Sequence, residues 1–451
     1  MTGKAASLRR GACPGLYAPM ETGDGLLVRL LPLSRTISLD AFAGLCRAAQ
    51  RHGNGMIEVT ARGSLQIRGL TQTSAPLLAD EVAALGVASE TTVPIHVNPL
   101  AGLDPSEISD ASELAAQLQQ CLSEKTSASQ LSPKISVLID GGGALHLDRL
   151  SADVRLRAET TSEGLRYLVA IGGDGSTATT IGATSPEQVV PIVLNILHEL
   201  AKRGRETRGR DLLSDNAWRI ALSKLLTDAP APPLRQGGEP IGMHQIKGEK
   251  FALGVGLPFG QAACAELEEW LQTAKQAGAS GLRTAPGGTL LLIGMTAYAI
   301  DMLFHAAKGR GFITSANDPR RFVAACAGAP FCKSAQAPAR SLGPHVAQAA
   351  TSLFDGSVTL HVSGCSKGCA HRGSPALTLI GDDGKYRIVI NGSPSDQGTG
   401  WIDADALPAA LTRLADKVHS ERQAGETNSA VLARLGARAV SMVLSEEAAF
   451  V

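Results

Sequence analysis

Leu27-Val28-Arg29-Leu30, followed by His52-Gly53-Asn54-Gly55-Met56, is answered later in the chain by Gly254-Val255-Gly256-Leu257 and Gly278-Ala279-Ser280-Gly281-Leu282. In the first stretch a strand-like run opens at Leu27, and a helical segment covers about Leu39 to Arg51. A second strand-like stretch then runs from Met56 to Gly69. In the later stretch Cys264 to Gln276 reads as the helix and Leu282 to Gly294 as the strand. The Gly- and Asn-rich tetrapeptides are turn signals between them. Order, lengths and turn residues agree at an offset of about 225.

One β-α-β match arises easily by chance, so a second pair matters. Tyr167-Leu168-Val169-Ala170-Ile171-Gly172-Gly173 resembles Tyr386-Arg387-Ile388-Val389-Ile390-Asn391-Gly392 at a similar offset. Each is β-rich and ends in a turn. Each follows another strand, Asp153 to Ala158 or Leu377 to Ile380. Each precedes a helix, Pro186 to Arg203 or Asp403 to His419. Gly381-Asp382-Asp383-Gly384 reads as a hairpin turn. The chain therefore reads as a duplicated pair of modules: 23–75, 82–228, 240–308 and 318–451. Strands and helices mixed in each half give an α+β class. A length of 451 residues requires more than one core.

Charge narrows the function classes. The 42 basic and 42 acidic residues cancel, and aromatic residues make up only 4%. A nucleic-acid binder carries a basic excess and stacking surfaces, so that class is disfavoured. No run of about 18 uncharged apolar residues suggests a membrane span. Arg9 and Arg10 are not followed by an apolar run, so no secretory signal is read and the cytoplasm is the expected location. Eight cysteines are too sparse for a disulfide scaffold, and in a reducing compartment clustered cysteines bind metal or do redox work.

Four of them are paired. Cys326-Ala-Gly-Ala-Pro-Phe-Cys332 is C-x5-C, and Cys365-Ser-Lys-Gly-Cys369 is C-x3-C. The second pair follows the alternating run Val358, Leu360, Val362, which reads as a strand entering a turn. Four thiolates are the ligand set of a [4Fe–4S] cube, and Gly-rich loops bring amide N–H groups to the sulfurs. Zinc is the rival metal, though structural zinc sites use C-x2–4-C spacings. Plain packing is the third reading. It suits Cys46, Cys121 and Cys264, which stand alone in expected helices, and a structural role suits Cys13. Where the second half has Gly364-Cys365-Ser366-Lys367-Gly368-Cys369, the first has Asp140-Gly141-Gly142-Gly143, so one cluster per chain is expected.

The cysteine spacing on a duplicated chain resembles the sirohaem-dependent sulfite and nitrite reductases. Three more stretches carry the resemblance: Thr60-Ala61-Arg62-Gly63-Ser64-Leu65-Gln66, Asn98-Pro99-Leu100-Ala101-Gly102-Leu103-Asp104 and Leu131-Ser132-Pro133-Lys134-Ile135-Ser136. The resemblance implies ferredoxin-like half-modules at 23–75 and 240–308. It implies reductase-like α/β modules at 82–228 and 318–451, the last holding the cluster. Two departures stand out. Ser136 occupies the place of the family's second lysine, and Ala370-His371-Arg372-Gly373 follows the last cysteine.

The N-terminal stretch Arg10-Gly11-Ala12-Cys13-Pro14-Gly15 through Pro19-Met20, with Thr22-Gly23-Asp24-Gly25-Leu26-Leu27-Val28-Arg29, is similar to the oxygen-dependent branch of that superfamily in aerobic cobalamin biosynthesis. That implies a tetrapyrrole substrate, precorrin-3A, hydroxylated with closure of a γ-lactone using O2. Reducing equivalents would come from NADH. Gly254-Val-Gly256-Leu-Pro-Phe-Gly260 lacks dinucleotide-site spacing, so electrons are expected through a separate donor protein. A mononuclear iron or a sirohaem is the further cofactor implied. His361 and His371 flank C-x3-C, but no 2-His-1-carboxylate pattern is legible. A carboxylate-rich tetrapyrrole needs cations, because bidentate Arg–carboxylate contacts are strong and directional. Arg62, Arg68 and Lys134 are the candidate substrate-binding residues. A sirohaem sulfite or nitrite reductase is the alternative activity, and a non-catalytic electron-transfer or tetrapyrrole-binding protein is the third reading.

Overall fold

The computed structural model describes residues 14–30, 35–87, 93–123, 130–371 and 373–445. Cys13 lies outside them. Two compact units emerge: residues 27–314 with the stretch ending at Met20, and residues 315–445 with Glu21–Leu26.

In sequence, β1 (Met20–Thr22) and β2 (Gly25–Leu30) straddle the division between the units, and α1 (Leu39–His52), β3 (Met56–Val59), β4 (Leu65–Leu70) and α2 (Ser74–Ala84) follow in the first. Ser38 caps α1 by accepting from the Ala41 amide, and Phe42, Leu45, Cys46 and Ala49 form its buried face at helical spacing. Next come β5 (Ile95–Val97), α3 (Ala111–Ser123), β6 (Val137–Asp140), β7 (Ala152–Thr161), β8 (Gly164–Gly173), β9 (Thr179–Thr184), α4 (Val189–Arg203) and α5 (Asn216–Ser223). A second α+β pattern follows: β10 (Gly242–Ile246), β11 (Lys250–Gly256), β12 (Gln261–Ala263), α6 (Cys264–Gln276), β13 (Gly281–Ala285), β14 (Thr289–Met295) and α7 (Ala297–Gly309). The second unit holds β15 (Val323–Ala325), α8 (Gly343–Ala349), β16 (Leu360–Ser363), β17 (Leu377–Asp382), β18 (Lys385–Ile390), β19 (Gly400–Asp403), α9 (Leu407–Glu421) and α10 (Asn428–Ser445).

Among the described residues four sheets result, in two kinds. The orders β1-β2-β4-β3-β12 and β10-β11-β14-β13 share one topology: the strand before the helix pairs with the second arm of the hairpin after it. Each sheet also borrows an edge from the other copy. Ala262 of β12 pairs with Ile57 of β3, and Ile37 bridges Leu282 of β13. Corresponding residues of the two pairs are about 225 positions apart, so the duplication is also a spatial exchange. The stretches read as single strands, Met56–Gly69 and Leu282–Gly294, are in fact hairpins. Gly63 (φ +80°) and Gly288 (φ +74°) turn them in the left-handed region, where side chains are strained.

The other two sheets, β5-β6-β7-β8-β9 and β15-β16-β17-β18-β19, match pair for pair: parallel, parallel, antiparallel, antiparallel. Leu118, Ile139, Val154, Leu156, Val193, Ile196 and Leu200 belong to the core that α3 and α4 make on the first of them. Each such side chain contributes about 1.5–3 kcal/mol on burial. The helix expected from Asp403 starts later, at Leu407, because Asp403 pairs with Lys385 as the last residue of β19. Among the described residues no helix is long and apolar enough to cross a membrane.

Candidate functional site

The first parallel pair of the second unit delivers the cysteines. β15 leads directly into Cys326, whose amide donates to Val362 O at 3.2 Å, while β16 leads into Gly364 and Cys365. The Cys326 loop folds back on itself. The Cys332 amide donates to Gly328 O at 2.9 Å, and the Gln336 amide to Gly364 O at 2.7 Å. Gly328 (φ +68°) has no room for a Cβ, which would lie 2.3 Å from the Ala339 nitrogen. The Gly364 amide donates to Cys326 Sγ at 3.2 Å. Burial raises the Cys326 thiol pKa, the Gly364 and Gly328 amides oppose that rise, and Cys369 and Cys332 add to it. Burial likewise raises Cys365, against the Lys367 amide, with Cys326, Cys369 and Cys332 adding to the rise. The two loops thus bring four thiols within electrostatic reach of one another, with amide donors aimed at sulfur. That donor set fits an iron–sulfur cluster.

The equivalent loops of the first unit hold something else. Asn98, one residue past β5, takes the register position of Cys326, and its Oδ1 accepts the Gly141 amide at 2.8 Å. Asn98 Nδ2 donates to Asp140 Oδ1 at 3.0 Å and to Gly142 O at 2.8 Å. Asp140, His146 and Asp148 come within 4.8 Å of one another, the spacing of a metal site. They do not fit an ion. Arg235 Nη2 lies 2.6 Å from Asp148 and also binds Asp140, so a cation already occupies the place. Burial works against ionisation of Asp148, but the Arg235 contacts prevail and its pKa falls to about 2.

A narrow cleft in the same unit has a cavity volume of about 20 Å³. It is lined in part by Arg62, His96, Asn98, Leu147 and Arg283. Thr60 shapes the turn that presents Arg62: its Oγ1 accepts from the Arg62 and Ser64 amides at 3.3 and 3.1 Å. Arg62 Nη2 reaches His96 Nε2 and Ser136 Oγ, each at 3.2 Å. Burial, and then the Arg62 charge, depress the His96 pKa to about 3, so the ring is neutral. Arg283 is tied down by its Nη1 contacts to Ala101 O (2.7 Å) and Pro99 O (3.2 Å).

A protein named precorrin-3B synthase from Sinorhizobium sp. is 38% identical over 444 residues, spanning 98% of this chain and 96% of its own. The chain belongs to the precorrin-3B synthase family. It is therefore an enzyme, an oxidoreductase. The family model described as nitrite/sulfite reductase ferredoxin-like half domain matches residues 18–85. Ferredoxin–nitrite reductase from Synechococcus elongatus is 22% identical over 401 residues, 81% of this chain and 78% of its own. The solved structure of the Mycobacterium tuberculosis NirA protein superposes with a TM-score of 0.76 at 18% identity, over 92% of this chain and 84% of that one. The chain thus shares the duplicated α+β fold of that solved structure.

Of the substrate-binding candidates, Arg62 lies in the cleft. Lys134 is exposed in the loop before Ser136 and does not line it. Arg68 is buried in β4 with its Nε 4.0 Å from Glu58, in a row with Gln66, which bonds Glu58 and Arg29. Cys46 and Cys264, each alone in its stretch of sequence, are neighbours in the fold, where the Cys264 thiol and burial raise the Cys46 pKa. Cys121 is half-buried in α3. His361 is fully buried, its ring 5.9 Å from that of His371. Neither of its ring nitrogens has a hydrogen-bond partner among the described residues. His96 and Arg283 share the cleft without belonging to any motif singled out in the sequence. Each is a lone basic residue inside a short apolar strand, and that was the available signal.

Proposed function

We propose that this chain is an oxygen-dependent monooxygenase that converts precorrin-3A to precorrin-3B in aerobic cobalamin biosynthesis. The reaction places one oxygen atom of O2 in the substrate, with closure of a γ-lactone. The other oxygen leaves as water, taking two protons and two electrons. NADH is the ultimate source of those electrons, passed on by a separate donor protein. The near-full-length match to a precorrin-3B synthase carries the reading.

Cys326, Cys332, Cys365 and Cys369 would hold one [4Fe–4S] cluster, with the Gly364 amide donating toward Cys326. When bound, the cluster supplies single electrons, while O2 chemistry is assigned to a mononuclear iron or a sirohaem. The chain's own part is recognition. Arg62 offers a permanently charged planar fork to a substrate carboxylate. Ser136 places a neutral hydroxyl 3.2 Å from that fork, where the sulfite and nitrite reductases resembled carry a second lysine. One fewer cation disfavours small anions, and Arg62 would meet a carboxylate-bearing ring. Lys134 and Arg68 are kept as candidate substrate-binding residues outside the cleft that Arg62 lines, and the four modules 23–75, 82–228, 240–308 and 318–451 are proposed as the units of duplication. A cytoplasmic location follows from the same reading.

The test is turnover of precorrin-3A by the purified chain with a reductant, in air and without it. Hydroxylactone forms only with O2, and sulfite and nitrite are not reduced at enzymatic rates. Equal consumption of precorrin-3A without O2, or six-electron reduction of sulfite, would replace this reading with that of a sirohaem reductase.

A further inference from the structure

We propose that His96 is the positioning residue of the cleft: by accepting a hydrogen bond from Arg62 it aims that guanidinium at a carboxylate of the tetrapyrrole, and so governs how well substrate is held. The inference rests on the reading that Arg62 meets a substrate carboxylate.

The bond has one possible direction. A guanidinium has donors only, so the His96 Nε2 that lies 3.2 Å from Arg62 Nη2 is the acceptor. The ring proton is then on Nδ1. The ring is only 4% exposed, and a second proton would set two cations side by side away from water. His96 is therefore a fixed neutral acceptor. It sits mid-strand in β5, paired in register with Leu138 of β6, so its position is set by a sheet and not by a loop. Ser136 Oγ, at 3.2 Å from the same nitrogen, gives a second anchor from the segment entering β6. A free arginine side chain carries about 2 kcal/mol of rotamer entropy. An arginine already held by a buried imidazole and a hydroxyl has lost much of that freedom before substrate arrives, and preorganisation of this kind appears as affinity.

A double-mutant cycle on the full chain tests it, using precorrin-3A binding and steady-state kinetics of His96→Phe, His96→Gln, Arg62→Ala and the doubles. His96→Phe keeps the ring's bulk and removes the acceptor. It raises KM about tenfold, as expected for losing one charge-assisted bond, while kcat stays within about twofold. His96→Gln restores most of the affinity, because its amide oxygen accepts. In the Arg62→Ala background His96→Phe adds nothing, since its effect runs through Arg62. Additive losses, or a Gln variant as weak as the Phe variant, overturn the inference. If Arg62→Ala itself binds precorrin-3A normally, the carboxylate reading of Arg62 fails, and the inference falls with it. Should His96→Phe not fold, as judged by thermal unfolding, His96→Leu takes its place in the cycle and the same outcomes apply.

Discussion

Residues 95–157 and 323–380 run through the same strands in the same register and end in different chemistry. At the exit of the first strand stands Asn98 in one and Cys326 in the other. Each accepts the amide of the glycine that follows the second strand, Gly141 at 2.8 Å and Gly364 at 3.2 Å. The carbonyls of those glycines accept in turn from Ile108 and Gln336. The backbone cradle is thus one design used twice. In the first copy it is closed by a side-chain network, Asn98 to Asp140 to Arg235 to Asp148. In the second it presents four thiols. A cradle of glycine amides suits any acceptor, so a few side chains decide whether it becomes a salt-bridged core or a cluster site.

The largest test of that contrast is on the thiols. Each of Cys326→Ser, Cys332→Ser, Cys365→Ser and Cys369→Ser is expected to lose iron and acid-labile sulfide, while Cys46→Ser and Cys121→Ser keep both. Chemical analysis of purified protein decides it. Retention of four irons and four sulfides in a paired-cysteine variant would sink the ligand assignment.

The next effect is on stability in the other copy. Arg235→Met strips the cation from two buried carboxylates, a change worth about 3–5 kcal/mol. Denaturant unfolding should show that loss with iron content unchanged. A loss of less than about 1 kcal/mol would mean that the ion pairs do not hold the first cradle together.

The smallest effect concerns acid. Folded His96 has a pKa of about 3 against an ordinary 6.5, so below pH 6.5 the unfolded chain takes up a proton that the folded one refuses. Stability present above about pH 6.5 is lost as pH falls toward 3, by roughly 2 kcal/mol between pH 7 and 5. His361, lowered to about 4 by burial and then by His371, acts in the same direction in the second copy. His96→Gln should therefore reduce the slope of unfolding free energy against pH without abolishing it. An unchanged slope would show that His96 titrates freely in the folded protein.

Much of this was legible in the chain. Helix α6 spans the expected Cys264–Gln276, because its amphipathic spacing and the Gly278 turn are local signals. The hairpin at Asp383-Gly384 was legible for the same reason, with both residues at positive φ. The splitting of Met56–Gly69 into two strands was less so: Gly63 is the local turn signal, but the turn is completed by Thr60 Oγ1 accepting from the Arg62 and Ser64 amides, which the residue types do not announce. Charge alone groups Arg68 with Arg62, but strand alternation turns Arg68 toward Glu58, whereas the turn presents Arg62 to the cleft.

By itself the sequence determined the duplication, the α+β class and the two cysteine pairs, because turn residues, apolar periodicity and thiol spacing act over a few neighbouring positions. Only the tertiary structure decided that each copy lends an edge to the other, through Ala262 on Ile57 and Ile37 on Leu282. It alone revealed that Asn98 stands where Cys326 does, and that His96 and Ser136 hold Arg62. Those pairings join residues tens to hundreds of positions apart. Their contacts depend on strand register, which is fixed when whole faces are buried and not by any local residue preference.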